Sequence, residues 1–163
     1  MLRAMISVEV VRQSDLFARL GDAELSALAA CFIERRHARG EVVFRQGEPG
    51  ETMLLIASGH LLASATRPDG ASTGLNKMGP GEVLGEMAFL DPAPRSATVT
   101  ADTDAVTYEL SHDAMDVLRM RAPKAASALL NAGIRDVTRR LRVLDERIEA
   151  ELNRLDEAEK APR

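Results

Sequence analysis

Apolar positions along the chain change their period twice, and the changes divide it into three segments. Behind Asp22, a residue suited to an N-cap, Leu25, Leu28, Ala29 and Phe32 recur at helical spacing and predict a helix over residues 22–31. A shorter helical piece over residues 8–17 precedes it. From residue 33 to residue 110 the pattern is that of strands: short apolar or alternating runs at 42–44, 53–57, 61–66, 73–78, 97–101 and 106–110, broken by repeated glycines. Many short strands with closely spaced turns predict a small barrel or sandwich. Pro68-Asp69-Gly70 marks one of those turns.

Past residue 110 the helical period returns. Ser111 is placed to cap a helix running to about Arg121, and Pro123 breaks it, because proline suits the first turn of a new helix and not an interior. A long helix then covers residues 124–160, roughly 50 Å at the usual rise per residue. Leu130, Ile134, Val137, Leu141, Leu144 and Ile148 follow a 4-3-4-3-4 spacing, the seam of a coiled coil, continued through polar Glu151 to Leu155. The pattern thus predicts a helical segment over 1–32, a β-barrel with a following helix over 33–122, and a dimerising helix over 123–163.

Composition narrows the partners. The chain has 163 residues, a formal net charge of −4 and only 3% aromatics, so its core is built from aliphatic side chains and it has no overall basic field for phosphates. The arginines at 135, 139, 140 and 142 read as a solvated helix face. Cys31 is a single cysteine in an apolar run, which excludes an intrachain disulfide and predicts a buried thiol. Glu9 and Arg12 interrupt the N-terminal apolar stretch, arguing against a signal peptide, and the longest uncharged run, 53–66, is too short to span a bilayer. These features predict a cytoplasmic protein. His37, His60 and His112 are scattered without a supporting cluster, so no metal site is predicted. No nucleophile–base arrangement is visible, and the chain reads as a non-enzyme.

One segment carries specific chemistry: Gly81-Glu82-Val83-Leu84-Gly85-Glu86-Met87-Ala88-Phe89-Leu90-Asp91-Pro92-Ala93-Pro94-Arg95-Ser96-Ala97-Thr98. Glycine permits close backbone approach to a ligand, and a helical turn after it offers N–H groups to an anion. A carboxylate at position 86 suits a sugar hydroxyl, and Arg95 after Pro94 suits a phosphate. Together they are the chemistry for a ribose bearing an anion.

This segment resembles the phosphate-binding cassette of cyclic-nucleotide-binding domains, the family of catabolite activator protein and the regulatory subunits of protein kinase A. Gly85, Glu86, Met87, Ala88, Arg95, Ser96 and Ala97 match the family pattern. Residues 40–44, 47–51 and 56–59 look like the family's early strands and turns, so the resemblance covers about residues 15–145. It implies an α+β fold, a double-stranded β-helix (jelly-roll barrel) with flanking helices. It implies that Glu86 binds the ribose 2′-hydroxyl, that Arg95 pairs with the cyclic phosphate, and that amides near Met87, Ala88 and Ser96 complete the cradle. Val83, Leu144 and Asp145 are candidate base contacts. Small hydroxyl residues of the catabolite-activator branch are replaced here by Leu144 and Asp145. Cyclic AMP is the implied ligand, with cyclic GMP the alternative that Asp145 and Ser96 keep open. The helix-turn-helix domain of that branch is not found after the long helix, so no direct DNA binding is expected. The expected protein is a homodimeric sensor that signals to a partner protein. The rival is a dimeric scaffold indifferent to nucleotide.

Overall fold

The computed structural model describes residues 6–12, 14, 17–66, 70–91 and 93–160. They form α1 (Val8–Arg12), α2 (Asp22–Cys31), β1 (Ile33–His37), β2 (Val42–Phe44), β3 (Thr52–Ser58), β4 (Leu61–Thr66), β5 (Ser72–Met78), β6 (Val83–Leu84), α3 (Glu86–Leu90), β7 (Thr98–Ala101), β8 (Ala105–Ser111), α4 (His112–Arg121) and α5 (Pro123–Lys160). Two four-stranded antiparallel sheets, β1-β8-β3-β6 and β2-β7-β4-β5, face one another in a jelly-roll arrangement. Pro68 and Asp69 of the expected turn lie outside the described residues, but the strands flanking it, β4 and β5, do pair.

The two sheets are covered differently. In β3, Met53 and Leu55 belong to a core shared with the helices, while Leu54 and Ile56 belong to the barrel interior. Both faces of this sheet are therefore buried, which is why β3 reads as an unbroken apolar run and not as an alternation. The second sheet turns Leu61, Ala63, Val99 and Ala101 inward and leaves its other face to solvent, where Leu62 is exposed. Val11, Phe17, Leu25, Leu28, Leu110, Met115 and Leu118 knit α1, α2 and α4 onto the first sheet. Each such fully buried side chain contributes about 1.5–3 kcal/mol through removal from water.

Helix ends follow local chemistry. Ser111 caps α4 as expected, its hydroxyl accepting from the Ala114 N–H at 3.3 Å. Asp22 is not the cap of α2. Gly21 holds that position, and Asp22 is the first helical residue, its carboxylate paired with Arg12. An acidic group in the first turn complements the helix dipole without capping it. Cys31 is half-buried and not fully enclosed, packing at the edge of the helical core.

The chain divides into two compact units, residues 1–133 and 134–163. Ala125, Ala126 and Leu129 of α5 are buried in the first unit's core, and Leu130 packs against it. Leu130 therefore belongs to that core and not to the exposed seam. The second unit is the distal part of α5. Ile134, Leu141, Leu144 and Ile148 are exposed on it, and the apolar stripe passes on through Leu152 and Leu155. Among the described residues, no helix is long and apolar enough to cross a membrane.

Candidate ligand-binding site

The segment singled out by sequence occupies the end of the barrel where β6 turns into α3. Gly85 makes the turn at φ +76°, a left-handed conformation that side-chain-bearing residues seldom adopt. Space imposes the same requirement. A Cβ on Gly85 would stand 2.5 Å from Nη1 of Arg95 and 3.0 Å from the Thr52 carbonyl oxygen. Glu86 opens α3 and is 1% exposed, and Arg95 is 6% exposed. Ionised groups are seldom so buried unless other charges and polar groups compensate them.

Arg95 is held from several directions. Nη1 donates to the Gly85 carbonyl at 3.2 Å, and Nη2 donates to Thr52 Oγ1 at 3.0 Å. The guanidinium lies over the Phe44 ring, with Cζ 4.3 Å from the centroid. Nε is buried and, among the described residues, has no hydrogen-bond partner. Burial lowers the Arg95 pKa from the ordinary guanidinium value, and the negative fields of Glu86, Glu109 and Glu48 oppose that shift. Arginine starts so far above neutrality that the group stays cationic.

A strap fixes the second half of the segment. The Gly47 N–H donates to the Arg95 carbonyl at 2.9 Å, and the Arg95 N–H donates to the Glu48 carbonyl at 2.8 Å. Pro49 and Pro94 form a β-bridge beside them. Gly50 lets this strap lie against α3, because a Cβ there would come within 2.2 Å of the Ala88 Cβ and 3.1 Å of the Ala93 carbonyl oxygen. The loop between β2 and β3 thus sets the backbone from which Arg95 projects. A cleft of about 700 Å³ opens alongside, lined by Gly50, Thr52, Pro94, Ser111 and His112 among others. The His112 ring stacks on Phe89 of α3 at 4.4 Å.

The structure gathers Gly85, Glu86, Ala88, Arg95 and Ala97 as buried residues or close-approach glycine in one neighbourhood. Met87 is 49% exposed and Ser96 is also exposed, so neither is among the enclosed residues. Val83 is not brought to the barrel interior. Its side chain packs in the helical core, and its neighbour Leu84 faces inward instead. Leu144 and Asp145 lie in the second unit, where both are exposed. Thr52, Phe44 and Gly50 went unmarked as site residues in the sequence. The cluster Gly47-Glu48-Pro49-Gly50 signalled a turn there, but nothing in it signals that the turn straps Arg95.

A profile of the cyclic nucleotide-binding domain matches residues 34–122. The chain belongs to the cyclic nucleotide-binding domain family. It is 30% identical over 134 residues to a CRP-like cAMP-activated global transcriptional regulator of Mycobacterium tuberculosis, covering 82% of this chain and 58% of that protein. It is 32% identical over 148 residues to the cyclic AMP receptor protein of Thermus thermophilus, covering 91% of this chain and 66% of that one. A solved cyclic nucleotide-binding domain from Methylobacillus flagellatus superimposes with a TM-score of 0.77 at 28% identity, over 88% of this chain and 81% of its own. The chain therefore spans less than two thirds of the length of these two curated relatives.

Proposed function

We propose that this cyclic nucleotide-binding domain is a sensor of a cyclic mononucleotide, cyclic AMP first and cyclic GMP second, acting as a regulatory module without catalysis. The observation that carries the reading is the burial of both Glu86, at the start of α3, and Arg95, on the segment strapped by the β2–β3 loop, with an arginine Nε that has no hydrogen-bond partner among the described residues. Two relatives named for cyclic AMP support the choice of ligand. In this reading Arg95 meets the cyclic phosphate, Glu86 accepts from the ribose 2′-hydroxyl, and the amides of Met87, Ala88 and Ser96 complete the cradle. The first N–H groups of any helix have no acceptor within it, which suits α3 to that task.

The signal leaves through α5. Gly133 is an interior helix residue, where glycine costs about 1 kcal/mol relative to alanine. A Cβ there would stand 3.2 Å from Leu90 Cδ1 and 3.9 Å from Glu86 Cβ, so its smallness lets α5 lie against the helix that carries Glu86. Movement of α3 on binding would bias α5 directly, a population shift that needs no chemistry. The distal stripe from Ile134 to Leu155 then serves a homodimer, and an as yet unassigned protein receives the output in the cytoplasm. Direct DNA binding forms no part of this reading.

Thermal unfolding with cyclic AMP tests it, since a ligand selective for the folded state raises the melting temperature. The wild-type chain should show a dose-dependent rise. Arg95→Ala should weaken binding by about 2–5 kcal/mol, the range for truncating one partner of a buried charge pair, and abolish the rise at modest concentration. No rise with any cyclic nucleotide would instead favour a nucleotide-independent scaffold.

A further inference from the structure

Phe44 reaches the site through an irregularity in its strand. Residues two apart on a regular strand share a face, and paired residues on neighbouring strands share one too. Val42 pairs with Thr100, yet Phe44 pairs with Val99, so the register slips between them. Val99 points into the barrel, whereas Thr100 is on the opposite face of β7. The slip is a β-bulge, and it turns Phe44 to the inner face, where Phe44 and Val43 both pack against the interior cluster. Without it, Phe44 would share the outward face of Val42, and Arg95 would have no ring beneath it.

Thr52 comes from the other sheet. It begins β3, and its hydroxyl accepts from Nη2 of Arg95 at 3.0 Å. Phe44 and Thr52 therefore hold the same group at two different points: the ring lies against the guanidinium carbon, and the hydroxyl holds one of its amino ends. The Gly85 carbonyl adds a second acceptor, at Nη1. A free arginine side chain carries considerable rotamer entropy, and a fork fixed beforehand loses less of it when an anion arrives.

We propose that Phe44 and Thr52 are positioning residues that preset the Arg95 fork for a phosphate ester, Phe44 by its ring face and Thr52 by its hydroxyl. The proposal rests on the reading that Arg95 receives the cyclic phosphate. Phe44 and Thr52 need not touch the ligand.

A double-mutant cycle on the full chain tests it, with cyclic AMP as the probe and affinity read by calorimetry, or by NMR titration at millimolar nucleotide where binding is weak. Phe44→Leu keeps apolar bulk without the ring, and Thr52→Val keeps shape without the hydroxyl. Phe44→Leu should weaken binding roughly 2- to 30-fold, the span of a partly to fully desolvated cation–π contact, and Thr52→Val by up to about 100-fold, the span of a lost hydrogen bond to a charged group. Phe44→Tyr and Thr52→Ser should restore most of the loss. In an Arg95→Ala background, Phe44→Leu and Thr52→Val should change affinity less than twofold. Equal losses in both backgrounds would reveal a merely structural role and overturn the proposal, as would no loss in the wild-type background. Should Phe44→Leu fail to fold, the Thr52→Val and Thr52→Ser pair decides by the same comparison. Wild-type affinity in Arg95→Ala would instead overturn the underlying reading of Arg95.

Discussion

The cassette and the distal helix break the ordinary partition of charge and hydrocarbon in opposite directions. At the cassette, a carboxylate and a guanidinium are buried beside a tightly turned backbone. Along α5 beyond Gly133, Ile134, Leu141, Leu144, Ile148, Leu152 and Leu155 stand in solvent, with Leu141 and Leu155 each more than half exposed. Buried charge carries a desolvation cost, and a continuous exposed apolar stripe marks an interaction surface. The difference teaches what each region is suited to meet. A buried carboxylate and guanidinium on a tightly turned backbone suit a small polar ligand. A long exposed apolar stripe is suited to covering by another apolar surface.

The strongest way to break the contrast is to remove the rigidity of the cassette while leaving its charges. Gly85→Val places a branched side chain at φ +76° and against Nη1 of Arg95. The backbone strain alone is of order 1–3 kcal/mol, and the guanidinium must leave its position. Cyclic nucleotide binding should fall below detection in calorimetry, with a lowered melting temperature. Retained affinity would show that the preset geometry is unnecessary.

The other half of the comparison yields to charge. Leu141→Glu together with Leu144→Glu should convert a dimer to a monomer in light scattering while leaving the melting transition of residues 1–133 in place, because both side chains lie in the second unit. A wild-type monomer at high concentration would remove the proposed partner helix from the account. A smaller effect sharpens the cassette itself. Glu86→Ala should erase the preference for cyclic AMP over its 2′-deoxy analogue, a difference of about 1.5–3 kcal/mol for a hydrogen bond to a charged group. If the preference survives, another residue reads the sugar.

Sequence pattern conveyed the strands wherever one face was wet or the run was continuous. β2 and β4 fall on the predicted residues, and α2 and α4 do as well. β1 escaped because Ile33-Glu34-Arg35-Arg36-His37 is an edge strand dressed in charge, which blunts edge-to-edge pairing and hides the alternation that identifies a strand. β6 escaped because two residues carry no period, and only pairing with β3 makes them a strand. The packing of Val83 in the helical core was hidden for a related reason. In a sheet covered on both faces, Val83 and Leu84 are equally apolar, and nothing in the sequence says which one faces the barrel. Local motif spacing was enough to single out Gly85, Glu86 and Arg95, which the fold brings into one neighbourhood. Phe44 and Thr52 depend on a bulge and on a contact between sheets, neither of which leaves a mark on the chain near Arg95.

The central claim is that the cassette binds a cyclic mononucleotide, and calorimetry of the wild-type chain tests it most directly. Titrations with cyclic AMP, cyclic GMP and the non-cyclic 5′-AMP should give saturable heat with one bound nucleotide per chain for cyclic AMP, a weaker isotherm for cyclic GMP, and none at the same concentrations for 5′-AMP. Cyclic AMP and cyclic GMP both giving no heat, under conditions where the protein melts cooperatively, would contradict the account.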